Sequence, residues 1–305
     1  MTLSELRYLV AVADLRHFSR AAERCHITQP TLSVQLRKLE EFLGVTLFER
    51  GRRSVTITPV GERIVTHARR ILEEADQISE LARQDKGVLA SPLRLGVIPT
   101  LGPYLLPLFL RPLHEKYPDL RLILREDLTD HLLAALATHE LDALLLALPS
   151  DGQNRRVMAL FDEPFWFACP QDHPLAARAD IDEADLAGQK LLLLDEGHCL
   201  RDQALAICGD QARETAWSAE DVRATSLETI CELVAAGLGC TVLPALAVRR
   251  LAPEGSRIAV RPLRGGLAHR RIGLMWRTGF SRGDDLLALG MLIQAQVPPA
   301  LPHAG

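Results

Sequence analysis

His26-Ile27-Thr28-Gln29-Pro30-Thr31-Leu32-Ser33 joins two helical patterns, and its reading decides the fold of the N-terminal region. Pro30 suits the first turn of a helix, where its missing N–H is no loss. From there the spacing predicts a helix to about Phe42, closed at Gly44. Leu32, Leu36 and Leu39 make its apolar face, and Gln29, Pro30, Thr31, Ser33, Val34 and Arg37 its short, polar, singly basic one. Before it, Leu3, Leu6, Val10 and Ala13 recur at helical spacing, and Phe18 to Cys25 forms a second, shorter helix around Ala21 and Ala22. After it, the run Leu47 to Pro59 reads as a small hairpin with Arg50, Arg52 and Arg53 at its tip. Three helices and a hairpin make a winged helix-turn-helix over residues 1–58. The polar face of the third helix fits a major groove, and the tip arginines would meet phosphates or the minor groove.

The charge distribution agrees. Residues 1–58 carry nine Lys/Arg against six Asp/Glu, a net +3, while the whole 305-residue chain is −4, so the remainder is −7. A basic head on an acidic body is compatible with binding of double-stranded DNA by the head. From Val60 to about Lys86, Ile64, Ala68, Ile71, Ala75, Ile78 and Ala82 alternate by four and three, which predicts a long linker helix, over 59–90, with a seam for pairing to a second copy of the chain. A dimer would place two reading heads on a pseudo-palindromic site.

Beyond Leu89-Ala90-Ser91-Pro92, strands and helices alternate: strand Leu93–Ile98, helix Tyr104–Lys116, strand Leu120–Glu126, helix Asp130–His139, strand Leu141–Ala147. That is the pattern of a mostly parallel α/β sheet. Phe165–Cys169 and Lys190–Leu194 are expected as strands of a second lobe, Ser226–Ala236 and Pro244–Arg250 as helices, and Arg271–Trp276 as a strand returning to the first lobe. The lobes are drawn at 91–162 with 268–296, and at 163–267. No apolar run reaches the ~18 residues of a membrane span, and the N-terminus shows no signal-peptide core, so a cytoplasmic protein without membrane contact is expected.

In that compartment thiols are normally reduced. Cys25, Cys169, Cys231 and Cys240 lie in apolar settings and read as small buried hydrophobes. Cys199 and Cys208 differ. The residues between them read as helix, which separates their Cα atoms by ~13 Å, whereas a disulfide needs them within about 7 Å. A bond between them would require the helix to melt, the outline of a redox switch. No metal-ligand spacing or cofactor motif is present.

The pattern from Arg20-Ala21-Ala22 through Gln29-Pro30-Thr31-Leu32-Ser33 to Leu39-Glu40 resembles the LysR-type transcriptional regulators. Ile98-Pro99-Thr100-Leu101-Gly102-Pro103, Gly197-His198-Cys199-Leu200-Arg201-Asp202-Gln203 and Arg223-Ala224-Thr225-Ser226-Leu227-Glu228-Thr229 are similar to its peroxide-sensing members. The resemblance covers nearly the whole chain. It implies an α/β regulatory domain of the two-lobed, periplasmic-binding-protein-like kind behind the winged head. It also implies that hydrogen peroxide oxidises Cys199 to a sulfenic acid, which Cys208 resolves as a disulfide. His198, Arg201 and Arg270 (or its neighbour Arg271) would serve the Cys199 thiolate, and Thr100 and Thr129 would hydrogen-bond the peroxide. From sequence alone those threonines read equally well as helix caps. Family members are typically tetramers, dimers of dimers, and the implied partners include RNA polymerase and a thiol reductant such as glutaredoxin or thioredoxin. Two other readings remain open at this point: a metabolite-sensing regulator with incidental cysteines, and a thiol-dependent peroxidase, which leaves the DNA-binding head unexplained.

Overall fold

The computed structural model describes residues 1–50, 55–81, 88–148, 155–208, 224–252, 255–265 and 268–298. The chain divides into two compact units, Met1–Gly87 and Val88–Gly305.

In the first unit, α1 (Leu3–Leu15), α2 (Phe18–Arg24) and α3 (Gln29–Leu43) precede a hairpin of β1 (Phe48–Arg50) and β2 (Val55–Ile57), and α4 (Pro59–Leu81) follows. Each helix start is capped by a side chain. Thr2 and Glu5 form a reciprocal box at α1, His17 Nδ1 accepts from the Arg20 amide at α2, and Thr28 Oγ1 accepts from the Thr31 amide at α3. Gly44 ends α3 at φ +68°, a left-handed position that glycine adopts without strain. Leu6, Leu9, Val12, Ala21, Leu32, Leu36 and Leu39 bury one core. Asp14 of α1 pairs with Arg24 of α2 and Arg69 of α4, tying three helices together.

The predicted seam of α4 divides in two. Ala68 is buried in the head's own core, with Val65 beside it and Ile64 and Leu72 packed against it. Ile71 and Ile78 are 41% and 69% exposed. The N-terminal half of α4, to Leu72, therefore serves folding of the head, with α1 against the helix and Asp14 paired to Arg69, and the exposed positions Ile71 and Ile78 remain for a partner. Ala75 is half-buried, and Ala82 lies outside the described residues.

The second unit is built on one twisted sheet. β3 (Leu93–Val97), β4 (Leu122–Glu126) and β5 (Ala143–Leu148) run parallel in the order β4-β3-β5. α5 (Gly102–Lys116) and α6 (Thr129–Ala137) connect them. Next to β5 lies β10 (His269–Arg277), antiparallel, then β6 (Arg155–Pro170). β6 is far longer than the Phe165–Cys169 strand expected. Its first half pairs with β10 in the first lobe, and its second half pairs with β8 (Thr241–Pro244) and β9 (Ile258–Arg264) in the second. The short β7 (Ile181–Asp182) adds to β9. Lys190–Leu194, expected as a strand, makes only single bridges, Leu191 with Cys240 and Leu194 with Ala224. It passes from one partner to another too quickly to build a ladder.

The first-lobe core gathers Leu93, Leu95, Phe109, Leu144–Leu146 and Phe161, with Leu286, Leu289 and Ile293 of α10 (Gly283–Gln296). The second-lobe core holds Phe165, Phe167, Leu191–Leu194 and Val242, with residues of α7 (Cys199–Cys208), α8 (Leu227–Ala235) and α9 (Ala245–Leu251). No helix of the described residues is long and apolar enough to cross a membrane.

Candidate functional site

α7 buries Leu200, Ala204 and Ile207 in the second lobe. Its first residue, Cys199, is half-buried and packs instead against the first-lobe core. The approach is set by Gly197, at φ +91°, where an added Cβ would come 3.0 Å from the Leu128 side chain. Leu128 immediately precedes Thr129, the first residue of α6. The cysteine loop therefore lies between the lobes. Cys199 is a free thiol, at a helix start where the backbone dipole favours negative charge. Cys208 is the last residue of α7; its sulfur lies outside the described part of the chain. Unbroken helix between them holds the two Cα atoms ~13 Å apart.

His198 and Arg201, the neighbours expected to serve the thiolate as cations or donors, are held in different ways. His198 is buried, and burial pushes its imidazole below the ordinary value against the pull of the Asp195 carboxylate. It is a neutral ring near pH 7 rather than a cation. The Arg201 guanidinium donates to the Leu194 carbonyl at 2.9 Å, and its backbone amide to the His198 carbonyl at 2.9 Å, so it ties the first turn of α7 to the preceding segment.

Arg270 provides the buried charge. Its Nη1 donates to Thr100 Oγ1 at 2.9 Å, its Nη2 to the Thr100 carbonyl at 3.0 Å, and its Nε to Glu163 Oε2 at 2.8 Å. All three residues are buried. Glu163 Oε1 accepts from the Leu246 amide at 2.8 Å, in the first turn of α9. One carboxylate thus joins the first-lobe threonine, the β6 and β10 strands and a second-lobe helix. An arginine can only donate, so Thr100 Oγ1 accepts here and keeps its own hydrogen to donate elsewhere. Neither threonine caps a helix through its side chain: the residues at the cap positions of α5 and α6 are Leu101 and Leu128. Arg271, the alternative to Arg270, is exposed and pairs with Asp162. Glu163 was missed by sequence reasoning. A lone Glu in an apolar strand, followed two residues later by Phe165, was the available signal.

A second interlobe contact lies nearby. Tyr104 Oη donates to Glu228 Oε1 at 3.1 Å. Burial and the Glu228 carboxylate push Glu126 above its ordinary value.

In the N-terminal unit, α3 presents Gln29, Pro30, Thr31, Val34 and Arg37 to solvent while Leu32, Leu36 and Leu39 are buried. Gln29 Nε2 donates to the half-buried Ser33 Oγ at 3.0 Å. Arg50 pairs with Val55 through the β1–β2 ladder; its side chain, and Arg52 and Arg53, lie outside the described residues.

The family model for bacterial regulatory helix-turn-helix proteins of the lysR family matches residues 3–62, and the LysR substrate binding domain matches residues 86–296. The chain belongs to the LysR family. This LysR-family chain is 47% identical over 283 residues to the DNA-binding transcriptional dual regulator OxyR of Escherichia coli K12, covering 92% of this chain and 90% of that one. It is 46% identical to a hydrogen peroxide-inducible genes activator of Pectobacterium carotovorum, over 92% of this chain and 91% of the relative. Among solved structures, a cysteine-to-aspartate form of full-length OxyR from Pseudomonas aeruginosa matches with TM-score 0.86 and 44% identity, covering 100% of this chain and 98% of that one. A cysteine-to-serine mutant of Corynebacterium glutamicum OxyR with H2O2 bound matches with TM-score 0.67 and 38% identity, over 97% and 92% of the two chains.

Proposed function

We propose that this LysR-family chain is a hydrogen-peroxide-sensing, DNA-binding transcription regulator of the OxyR kind, with Cys199 as its input. The observation that carries the reading is the Cys199 thiol, free at the first residue of α7 between the lobes, in a unit where Arg270 and Glu163 orient the Thr100 hydroxyl. The Pectobacterium carotovorum hydrogen peroxide-inducible genes activator and the Corynebacterium glutamicum OxyR with H2O2 bound, both named above, support it.

The chemistry follows from these groups. The Cys199 thiolate attacks one oxygen of the peroxide and the O–O bond breaks. The sulfur becomes a sulfenic acid, and the other oxygen leaves as hydroxide, protonated to water. Thr100, whose oxygen already accepts from Arg270, would donate to a peroxide oxygen, and Thr129, next in the chain to the Leu128 that faces Gly197, would supply a second hydroxyl. The Cys208 thiolate then displaces hydroxide from the sulfenic sulfur and closes a disulfide. That second step requires α7 to unwind, because ~13 Å of helix exceeds the reach of the bond. The disulfide is the change that alters dimer pairing in a tetramer, the spacing of the heads on pseudo-palindromic DNA, and contact with RNA polymerase. A cytoplasmic dithiol reductant such as glutaredoxin or thioredoxin resets it. Gln29, Pro30, Thr31, Ser33, Val34 and Arg37 of α3 read bases, and Arg50, Arg52 and Arg53 hold the backbone. The chain acts by binding, with peroxide consumed once per switch.

Non-reducing peptide mapping after a brief peroxide pulse tests the reading. A Cys199–Cys208 linked peptide is expected. Its absence, with a Cys199→Ser chain still answering inducer normally, would overturn it in favour of a small-molecule ligand. Sustained turnover with a thiol reductant would make the chain a peroxidase instead.

A further inference from the structure

The second lobe holds another pair of cysteines, and its geometry is the reverse of the first. β6 and β8 are antiparallel, with Phe165 opposite Pro244, Trp166 opposite Leu243, Phe167 opposite Val242 and Ala168 opposite Thr241. Continued one residue past the end of that ladder, the register brings Cys169 opposite Cys240. Residues directly opposite each other in an antiparallel pair project to the same face of the sheet. The Cys240 amide donates to the Lys190 carbonyl at 2.9 Å, and its carbonyl accepts from the Leu192 amide at 2.8 Å. Both backbone groups therefore point away from β6. That is the non-hydrogen-bonded kind of cross-strand position, where Cα atoms stand ~4.5 Å apart and side chains are closest. A disulfide takes Cα separations of about 4.4–6.8 Å. Both cysteines are free thiols, and both are buried in the second-lobe core.

We propose that Cys169 and Cys240 are a second redox site, a buried dithiol that hydrogen peroxide closes to a cross-strand disulfide with no rearrangement of the lobe. The step is a two-electron oxidation. One sulfur, as thiolate, attacks a peroxide oxygen, giving a sulfenic acid and hydroxide. The facing sulfur displaces the second hydroxide, and the two thiol protons complete two waters. The cross-link would join positions 71 apart in the chain and enclose all of α7. It would hold β6 to β8 whichever form the Cys199–Cys208 segment takes.

The same burial makes this site slow. Desolvation pushes the Cys169 thiol up to about 11, with Arg261 drawing it down and Asp172 adding to the rise. Cys240 is pushed up to about 12, by burial and by Cys169 itself, an electrostatic sign that the two thiols are neighbours. A thiol at about 11 carries roughly 300-fold less thiolate at neutral pH than an ordinary one near 8.5. The pair would answer prolonged oxidant exposure rather than a pulse.

The test is a time course of excess hydrogen peroxide on the full-length chain and on its Cys199→Ser form, followed by non-reducing peptide mapping. The expected result is a Cys169–Cys240 linked peptide in both, appearing over hours and roughly tenfold faster for each pH unit between 7 and 9. Its presence in the Cys199→Ser form separates it from the proposed switch. Recovery of Cys169 and Cys240 as free thiols or sulfinic acids at the end of the course would overturn the proposal. So would a linkage of Cys240 to Cys231 in place of Cys169.

Discussion

At the residue scale, Arg270 and Glu163 carry more than one role. They form a buried ion pair, and removing one partner of such a pair leaves an uncompensated charge. Glu163→Ala should lower stability by about 3–5 kcal/mol in a denaturant titration. The paired change Arg270→Met with Glu163→Leu should recover most of that loss, because it removes both charges. The same double variant should still oxidise slowly at Cys199, by roughly 10²-fold, the order seen when a preorganised donor is lost. Stopped-flow oxidation beside the melts separates the two roles, and a double variant that reacts at the parental rate would remove Arg270 from the chemistry. In the sequence, resemblance points to Arg270, and Arg271 is the alternative. The choice between them depends on which face of β10 turns inward, and Arg270 is buried where Arg271 is exposed. Glu163 was not legible, since its partners lie 107 and 83 positions away.

At the scale of the element, α7 and α4 make opposite demands. The proposed switch requires α7 to be stable when reduced and to melt on oxidation. Ala206 is exposed near its C-terminal end, so Ala206→Gly should weaken the helix by ~1 kcal/mol without touching the core. Sulfenic acid formation at Cys199 should keep its rate, while disulfide closure speeds up by roughly fivefold. Rapid-quench alkylation resolves the two steps, and an unchanged closure rate would mean that unwinding is not what limits it. α4 was read as one continuous seam, yet periodicity does not distinguish a seam that faces a partner from one that faces its own domain. Ala68→Asp should unfold the head, because Ala68 lies in its core. Ile78→Asp should leave the melting curve near parental and weaken self-association, since Ile78 is 69% exposed. Sedimentation of the two variants checks this. The caps of α1, α2 and α3, by contrast, are local: Thr2, His17 and Thr28 each stand next to the helix that they open.

For the whole molecule, the two lobes are joined by β6, by the Arg270 network and by the contact of Tyr104 with Glu228. Glu126 lies beside the last of these with its carboxyl raised, by burial first and then by the Glu228 charge. The native state therefore holds that proton more tightly than the unfolded chain does. This contribution is favourable when pH falls below the folded-state value and is lost as pH rises through it. Glu126→Gln should accordingly raise the melting temperature at pH 7, and the gain should vanish below about pH 4, where the parental carboxyl is itself protonated. A gain that persists at low pH would assign the effect to packing instead. Local patterns along the chain are enough to specify the helix-turn-helix, the alternation of strands and helices in the first lobe, and the distance that keeps Cys199 from Cys208. Each follows from periods and rises set over a few residues. Long-range packing is what runs β6 through both lobes, commits the N-terminal half of α4 to the head, and has Glu163 hold Arg270 against Thr100. It alone gave the β6–β8 register whose continuation brings Cys169 across from Cys240. Those pairings join residues far apart in the chain, and register and burial, which local patterns do not encode, choose among the partners that each could take.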